Sequence, residues 1–327
     1  MRVLFAGSPA IAVPAFNSLR NMEGIELAGV LTNPDTPRGR SGVPQPTDVG
    51  DAAAVLYADK NEKIPLLKPE KLDASVREQV SALKTDLLIS FAYGKIFGPK
   101  FLALFPLGGI NIHPSLLPKY RGPTPVQAAI LNRDSVTGIT VQWLSEKMDC
   151  GGVIMQEKFQ LTGKETAETL SETMSLKAAA MLPEAMKKIA AGNAEGTPQE
   201  LLLENGGVSY CSLISKNDGN IDWTRSAAEI EAKIRGFTPW PLCRSFHNGR
   251  ELIILKADMF NGSAPGKPQD QAVMPGYVLG TDNNYGILIQ TGEGILAVSQ
   301  LQYQAKKALF WRDFLNGARD FTGSQLK

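Results

Sequence analysis

The sequence has few of the residues that usually supply metal ligands and redox centres. Its 327 residues include two histidines and three cysteines, which are Cys150, Cys211 and Cys243. The odd number of cysteines and the absence of a C-x-x-C spacing argue against a disulfide framework and against a zinc site. We therefore expect reduced thiols in a cytoplasmic protein that holds no metal.

The sequence also lacks a strong charge and a long apolar run. The formal net charge is +1, so no overall field attracts nucleic acid or an anionic membrane. The apolar start is interrupted by Gly7, Pro9 and Pro14, and no apolar run approaches membrane-spanning length. The composition, 43% hydrophobic and 20% charged, is that of a soluble globular protein, and the length predicts two domains.

The first part of the chain alternates apolar strands with helices, which is typical of a doubly wound α/β sheet. We predict strands at residues 2–6, 25–31, 64–67, 86–91, 107–112, 138–144 and 152–159, and a long closing helix at 165–191. The turn after the first strand, Gly7-Ser8-Pro9, is not G-x-G-x-x-G. A hydride-transferring dinucleotide enzyme is therefore disfavoured.

The second part of the chain has a different pattern. Residues 192–208 are rich in small and polar residues and predict a linker between domains 1–191 and 209–327. Beyond it we expect one helix at 227–236, short strands at 251–257, 275–280, 285–290 and 294–301, and a final helix at 309–318. Several short strands with few helices predict a small β-barrel.

A candidate site lies at the end of the apolar run 107–112. Asn111 and His113 are two residues apart, so their side chains project from the same face of the predicted strand. Pro114 and Pro118 then stop the strand. The carboxyl ends of strands in open α/β sheets are where ligands bind. The pattern indicates a functional site, although a single histidine can also fill a structural hydrogen-bonding niche.

A second candidate is the irregular stretch 33–50, which is dense in proline and glycine and carries Arg38 and Arg40. So long an irregular loop inside a compact domain is usually functional or disordered. A solvated surface loop is the alternative.

Taken together, the motifs resemble those of the folate-dependent formyltransferases. G-G-I-N-I-H-P-S-L-L-P-K-Y-R-G is followed, 36 residues after His113, by Asp149 in M-D-C-G-G. The likeness continues through F-A-G-S-P, N-P-D-T-P-R-G-R, A-Y-G-K-I, I-D-W-T-R-S-A-A and F-T-P-W-P. It implies an α/β fold in which a Rossmann-like formyltransferase domain precedes a smaller C-terminal OB-like β-barrel domain. The arginine loop and the motifs of the second domain resemble the branch that formylates methionyl initiator tRNA.

This resemblance implies a monomer that uses 10-formyltetrahydrofolate as co-substrate. Asn111 would donate a hydrogen bond to the formyl oxygen, and His113 would donate a second one while charged. Asp149 would pair with His113 and accept the amine's proton, directly or through water. The folate is expected against Phe91, Ala92, Tyr93, Gly94, Ser115, Leu116, Leu117 and Pro118. The tRNA is expected against Arg38 and Arg40.

Several alternatives remain open at this point. Cys150 beside Asp149 could act as a nucleophile with His113, or it could simply be the small residue that a tight turn needs. Leu116 and Leu117 could be core residues without ligand contact. A sugar-amine N-formyltransferase would carry the same three catalytic residues, and a catalytically silent RNA- or folate-binding module could share the barrel.

Overall fold

A computed structural model of the protein describes residues 1–37, 42–59, 64–262 and 273–327. The chain forms two compact units. The first comprises Met1–Pro125, Val136–Gln160 and Leu170–Ser212, and the second comprises Val126–Ser135, Leu161–Thr169 and Leu213–Lys327. No helix in the described ranges has both the length and the apolar character needed to cross a membrane.

The strands up to residue 160 are β1 (Arg2–Gly7), β2 (Glu26–Leu31), β3 (Thr36–Pro37), β4 (Pro44–Gln45), β5 (Leu66–Leu67), β6 (Leu87–Phe91), β7 (Gly109–His113), β8 (Val136–Trp143) and β9 (Val153–Gln160). The helices up to residue 190 are α1 (Val13–Leu19), α2 (Asp48–Asp59), α3 (Ala74–Ala82), α4 (Pro99–Leu102), α5 (Pro125–Leu131) and α6 (Ala167–Ala190). This alternation confirms the predicted α/β class.

The sheet of the first unit has the strand order β5-β2-β1-β6-β7-β8-β9, and a separate hairpin joins β3 to β4. The strands from β5 to β7 are parallel, whereas β8 and β9 are antiparallel additions at one edge. Only nine residues, 144–152, separate β8 from β9. A connection this short cannot make the crossover that parallel neighbours require. That stretch is the loop that carries Asp149.

Strands β6 and β7 are neighbours, so their carboxyl ends lie side by side. Ser90 is in register with Asn111, and Phe91 is in register with Ile112. Every residue of β6 is buried, because the sheet is covered on both faces. The prediction that β6 ends beside the strand carrying Asn111 and His113 is confirmed.

The second unit contains α7 (Ala227–Gly236), β10 (Cys243–His247), β11 (Arg250–Met259), β12 (Val278–Asp282), β13 (Gly286–Gln290), β14 (Ile295–Tyr303), β15 (Leu309–Phe310) and α8 (Trp311–Asn316). The antiparallel order is β10-β11-β14-β13-β12, with β15 paired to β14. Strand β10 was not predicted, because its Arg and His interrupt the apolar pattern even though most of its residues are buried. The predicted final helix is shorter than expected, because residues 309–310 pair as a strand.

The last five residues of the sequence close this sheet into a ring. Phe246 on β10 and Lys327 exchange both backbone hydrogen bonds, at 2.9 and 3.1 Å. On the other side, the backbone N–H of Val278 on β12 donates to Ser324 and that of Leu326 donates to Gly276, both at 2.9 Å. The two edge strands are thereby joined through one segment, and the predicted barrel is confirmed. The core of this unit includes Trp223 from the I-D-W motif.

Residues 192–212 fold onto the first unit. Thr197 and Val153 exchange both backbone hydrogen bonds at 2.8 Å, which adds an isolated bridge to the start of β9. Two single turns of 3-10 helix follow, at Gln199–Leu201 and Leu203–Asn205.

Candidate active site

Three predicted residues converge on one carboxylate oxygen. Oδ1 of Asp149 lies 3.4 Å from the amide nitrogen Nδ2 of Asn111 and 3.6 Å from Nδ1 of His113. The side chains of His113 and Asp149 are 5% and 11% exposed, so the cluster is largely shielded from water. The predicted alternation on β7 therefore places the amide and the imidazole where both meet the aspartate.

The loop after β8 presents Asp149 through a tight turn. Asp149 has a φ of 53°, a left-handed conformation that aspartate tolerates better than most residues. A side chain on Gly151 would overlap the backbone carbonyl of Trp143 on β8. One on Gly152 would lie 2.9–3.0 Å from the backbone of Gly196. The glycine pair is thus required because the turn packs directly against neighbouring backbone.

The two ring nitrogens of His113 have different partners. Nε2 lies 2.8 Å from the backbone carbonyl of Tyr120, which can only accept a hydrogen bond. Nε2 therefore carries a proton, and Nδ1 is the nitrogen that faces Asn111 and Asp149. The side chain is fixed from behind by the loop that follows β7.

Asp149 also has partners that the sequence did not reveal. The backbone N–H of Gly122 donates to Oδ2 at 2.8 Å, and Nε2 of Gln142 donates to Oδ1 at 3.1 Å. Gln142 on β8 is 1% exposed and donates to the charged carboxylate from within an apolar strand. A glutamine in the predicted strand G-I-T-V-Q-W-L was the one signal that could have indicated it.

The two nearby side chains with nucleophilic groups are engaged elsewhere. The thiol of Cys150 donates to the carbonyl of Met148 at 3.2 Å, and the hydroxyl of Ser115 donates to the carbonyl of Lys119 at 2.5 Å. In the described part of the chain, neither bonds to His113. A second thiol, that of Cys211, lies beside Tyr120 and Arg121, and its burial raises its pKa. The arrangement provides hydrogen-bond donors and a carboxylate but no activated nucleophile.

The predicted folate residues fall into two groups. In the first, Ala92 and Gly94 are exposed just beyond β6, whereas Phe91 and Tyr93 are buried. The hydroxyl of Tyr93 has no hydrogen-bond partner, and burial raises its pKa. Exposed backbone therefore alternates with buried rings along this edge.

The second group, Ser115–Pro118, is buried throughout. Its backbone is tied to β8, because Thr140 Oγ1 donates to the carbonyl of Ser115 at 2.7 Å and accepts from the N–H of Leu117 at 3.2 Å. Leu116 and Leu117 are 9% and 0% exposed, which places their side chains in the packed interior.

Arg38 and Arg40 lie outside the described residues, but both ends of their loop are described. Asn33 donates through Nδ2 to the carbonyl of Tyr93 at 2.8 Å and accepts from Nζ of Lys95 at 2.6 Å. Asp35 pairs with Lys68 at 2.6 Å. The loop therefore starts from a stem anchored beside the exposed edge at Ala92 and Gly94.

Known proteins with similar sequences place the chain in a family. The family model described as "Formyl transferase" matches residues 1–186, and "Formyl transferase, C-terminal domain" matches residues 213–319. The chain is 48% identical to a methionyl-tRNA formyltransferase of Treponema denticola, over 98% of each chain. It is 38% identical to one of Borrelia duttonii, over 99% of each.

Among solved structures, an N-formyltransferase from Helicobacter canadensis, in complex with folinic acid and dTDP-3-aminofucose, has a TM-score of 0.62 and 20% identity. That match covers 90% of this chain and 98% of the other, and at this identity it shows the fold. No group of three or more potential metal ligands occurs among the described residues. The matched models and the near-full-length relatives show that the chain belongs to the formyl transferase family.

Proposed function

We propose that this protein transfers the formyl group of 10-formyltetrahydrofolate to the α-amino group of methionyl initiator tRNA. The relatives that match nearly its whole length, at 48% and 38% identity, are named methionyl-tRNA formyltransferases. The likeness to the sugar enzyme of Helicobacter canadensis is 20% and extends to the fold alone. The acceptor is therefore assigned from the closer relatives.

The observation that carries the chemical assignment is the convergence of Asn111, His113 and Asp149 without an activated nucleophile. Because Cys150 and Ser115 have other partners, attack by a protein side chain is disfavoured. Transfer to an amine needs no such group, because the acceptor brings its own nucleophile. It needs donors for the formyl oxygen and an acceptor for a proton, and the cluster contains both.

The three residues then have distinct tasks. The amide of Asn111 has one N–H directed towards Asp149, so its other N–H can donate to the formyl oxygen. While charged, His113 donates its hydrogen bond to the formyl oxygen from Nδ1, since Nε2 is bonded to the carbonyl of Tyr120. Asp149 accepts the proton of the acceptor amine, which passes on to the folate nitrogen as its bond to the formyl carbon breaks. Asp149 also keeps His113 and Asn111 in place.

The folate supplies the formyl group on a nitrogen from which it can be transferred. The exposed backbone at Ala92 and Gly94 lies at the sheet edge that carries Asn111 and can form hydrogen bonds with a planar polar ring. We assign Phe91 and Tyr93 to the support of that edge. For the buried stretch Ser115–Pro118, the burial of its side chains favours a backbone or supporting role.

For the tRNA, we propose that Arg38 and Arg40 contact backbone phosphates near the acceptor end. The anchored stem at Asn33 and Asp35 starts the loop at the folate edge, where the aminoacyl group must arrive. We assign residues 1–191 to catalysis, 192–208 to a linker and 209–327 to further tRNA contact. We also propose that the enzyme works as a cytoplasmic monomer.

The test of tRNA recognition is the double substitution Arg38→Ala and Arg40→Ala. We expect a higher KM for charged tRNA and a salt dependence of binding that is lower by about one to two units of slope. The KM for the folate donor should stay unchanged. Lys187→Ala on α6 is the control for loss of an exposed cation. An unchanged KM and slope for tRNA would remove the loop from acceptor recognition.

A further inference from the structure

A buried glutamine between the two matched regions connects to the active site. Gln199 lies outside both residues 1–186 and residues 213–319, and it is 2% exposed. Its amide nitrogen Nε2 donates to the backbone carbonyl of Asp149 at 2.8 Å and to that of Gly151 at 2.9 Å. It therefore holds the turn that presents Asp149 by two backbone atoms on either side of Cys150.

The other end of this amide is held by a fixed donor. Nε and Nη2 of Arg121 both donate to Oε1 of Gln199, at 3.0 and 2.7 Å. A guanidinium group has only donors and stays charged, so it forces the oxygen of Gln199 to face it. The nitrogen of Gln199 must then face the Asp149 turn.

The orientation of the Gln199 amide also determines the orientation of the neighbouring Gln142 amide. Nε2 of Gln199 lies 3.2 Å from Oε1 of Gln142, so the oxygen of Gln142 faces Gln199. Its nitrogen is then directed to Oδ1 of Asp149. Arg121, Gln199 and Gln142 thus form a one-way series of donors that ends on the carboxylate.

We propose that Gln199 is a positioning residue for formyl transfer, which fixes the Asp149 turn and sets the orientation of the Gln142 amide. This inference rests on the catalytic role proposed for Asp149. Tethering of the segment 192–212 does not require Gln199, because Trp143 Nε1 donates to the carbonyl of Ala194 at 2.8 Å and Thr197 is bridged to Val153. The amide nitrogen of Gln199 instead bonds to the Asp149 turn and to Gln142, and its oxygen bonds to Arg121.

Two substitutions separate positioning from tethering. Gln199→Met keeps the volume and removes every side-chain hydrogen bond, whereas Gln199→Glu still accepts from Arg121 but offers an oxygen to the carbonyls of Asp149 and Gly151. We expect kcat to fall about 10- to 100-fold in both, the scale of loss known for residues that orient metal-ligating side chains. The KM values for folate and tRNA should change little, because the substrate contacts remain.

The matched control is Trp143→Phe, which removes another tether of the same segment without touching Asp149. Its kcat should stay near that of the wild type. If Gln199→Met does not fold, Gln199→Glu carries the test, since it retains the bond to Arg121. A folded Gln199→Glu with unchanged kcat overturns the inference, and so does an equal loss in Trp143→Phe.

The deciding experiment combines Gln199→Met with Asp149→Asn. If Gln199 acts through Asp149, the double variant should be no slower than Asp149→Asn alone, because residues that act as a unit are non-additive. Losses that multiply would overturn the inference while leaving the role of Asp149 intact. Full activity of Asp149→Asn alone would instead refute the proposed role of Asp149.

Discussion

Replacing Asp149 with asparagine changes one atom and should disable the enzyme. The carboxylate accepts on both sides, from Gly122 at Oδ2 and from Gln142 and Asn111 at Oδ1. An asparagine must place its NH2 group on one of these sides, where it meets a donor. The orientation that turns NH2 towards Gly122 breaks one hydrogen bond instead of two and is therefore preferred.

The expected loss of stability follows from that one broken hydrogen bond. The backbone N–H of Gly122 is partly buried, and leaving it without an acceptor costs at most about 1–3 kcal/mol of unfolding free energy. The effect on the rate is larger than the effect on stability, because the variant also loses the proton acceptor. General base catalysis contributes about 100- to 10,000-fold to kcat. We expect a folded protein with a lower urea midpoint and a kcat reduced within that range.

The assay is formylation of charged initiator tRNA at saturating folate donor, with urea unfolding in parallel. Cys150→Ala is the control, because that thiol bonds only to the carbonyl of Met148 among its described contacts. Its kcat should stay within about twofold of the wild type. A folded Cys150→Ala without activity, beside an active Asp149→Asn, would contradict the role of Asp149 and favour a thiol mechanism.

Asn111, the Asp149 turn and the buried Cys243 each allow a further test. Asn111→Ala should depress kcat about 100- to 1,000-fold in steady-state assays while a titration shows unchanged folate binding, and weaker binding with intact kcat would contradict the donor role. Gly151→Ala should destabilise the protein by about 1–3 kcal/mol in urea unfolding, because the new methyl group overlaps the Trp143 carbonyl. Gly98→Ala, with nothing within 4 Å, should be near neutral and is its control. Cys243, whose burial raises its pKa to about 12, should resist alkylation at pH 8 until the protein unfolds. Prompt labelling of the native protein would contradict its burial.

Local periodicity predicted the part of the site that lies on a strand. The two-residue spacing of Asn111 and His113 requires a common face, and their neighbours in the sheet follow from the parallel α/β pattern. Asp149 required the family resemblance, because nothing in the loop M-D-C-G-G indicates which strand it faces.

Gln199 could not be predicted, since its function depends on long-range contacts. Its partners lie 48 to 78 residues earlier in the chain, and its own segment reads as a polar linker. The closure of the barrel by residues 323–327 was missed for the same reason. Short segments that complete a structure through backbone hydrogen bonds carry no periodicity of their own.

The proposed acceptor is the amine of a charged initiator tRNA. The direct measurement is a comparison of acceptors at fixed 10-formyltetrahydrofolate, with methionyl initiator tRNA in one reaction and a dTDP-linked amino sugar in the other. We expect rapid formation of formylmethionyl-tRNA and no formylated sugar above background. Efficient formylation of the sugar with inert tRNA would contradict the proposed acceptor.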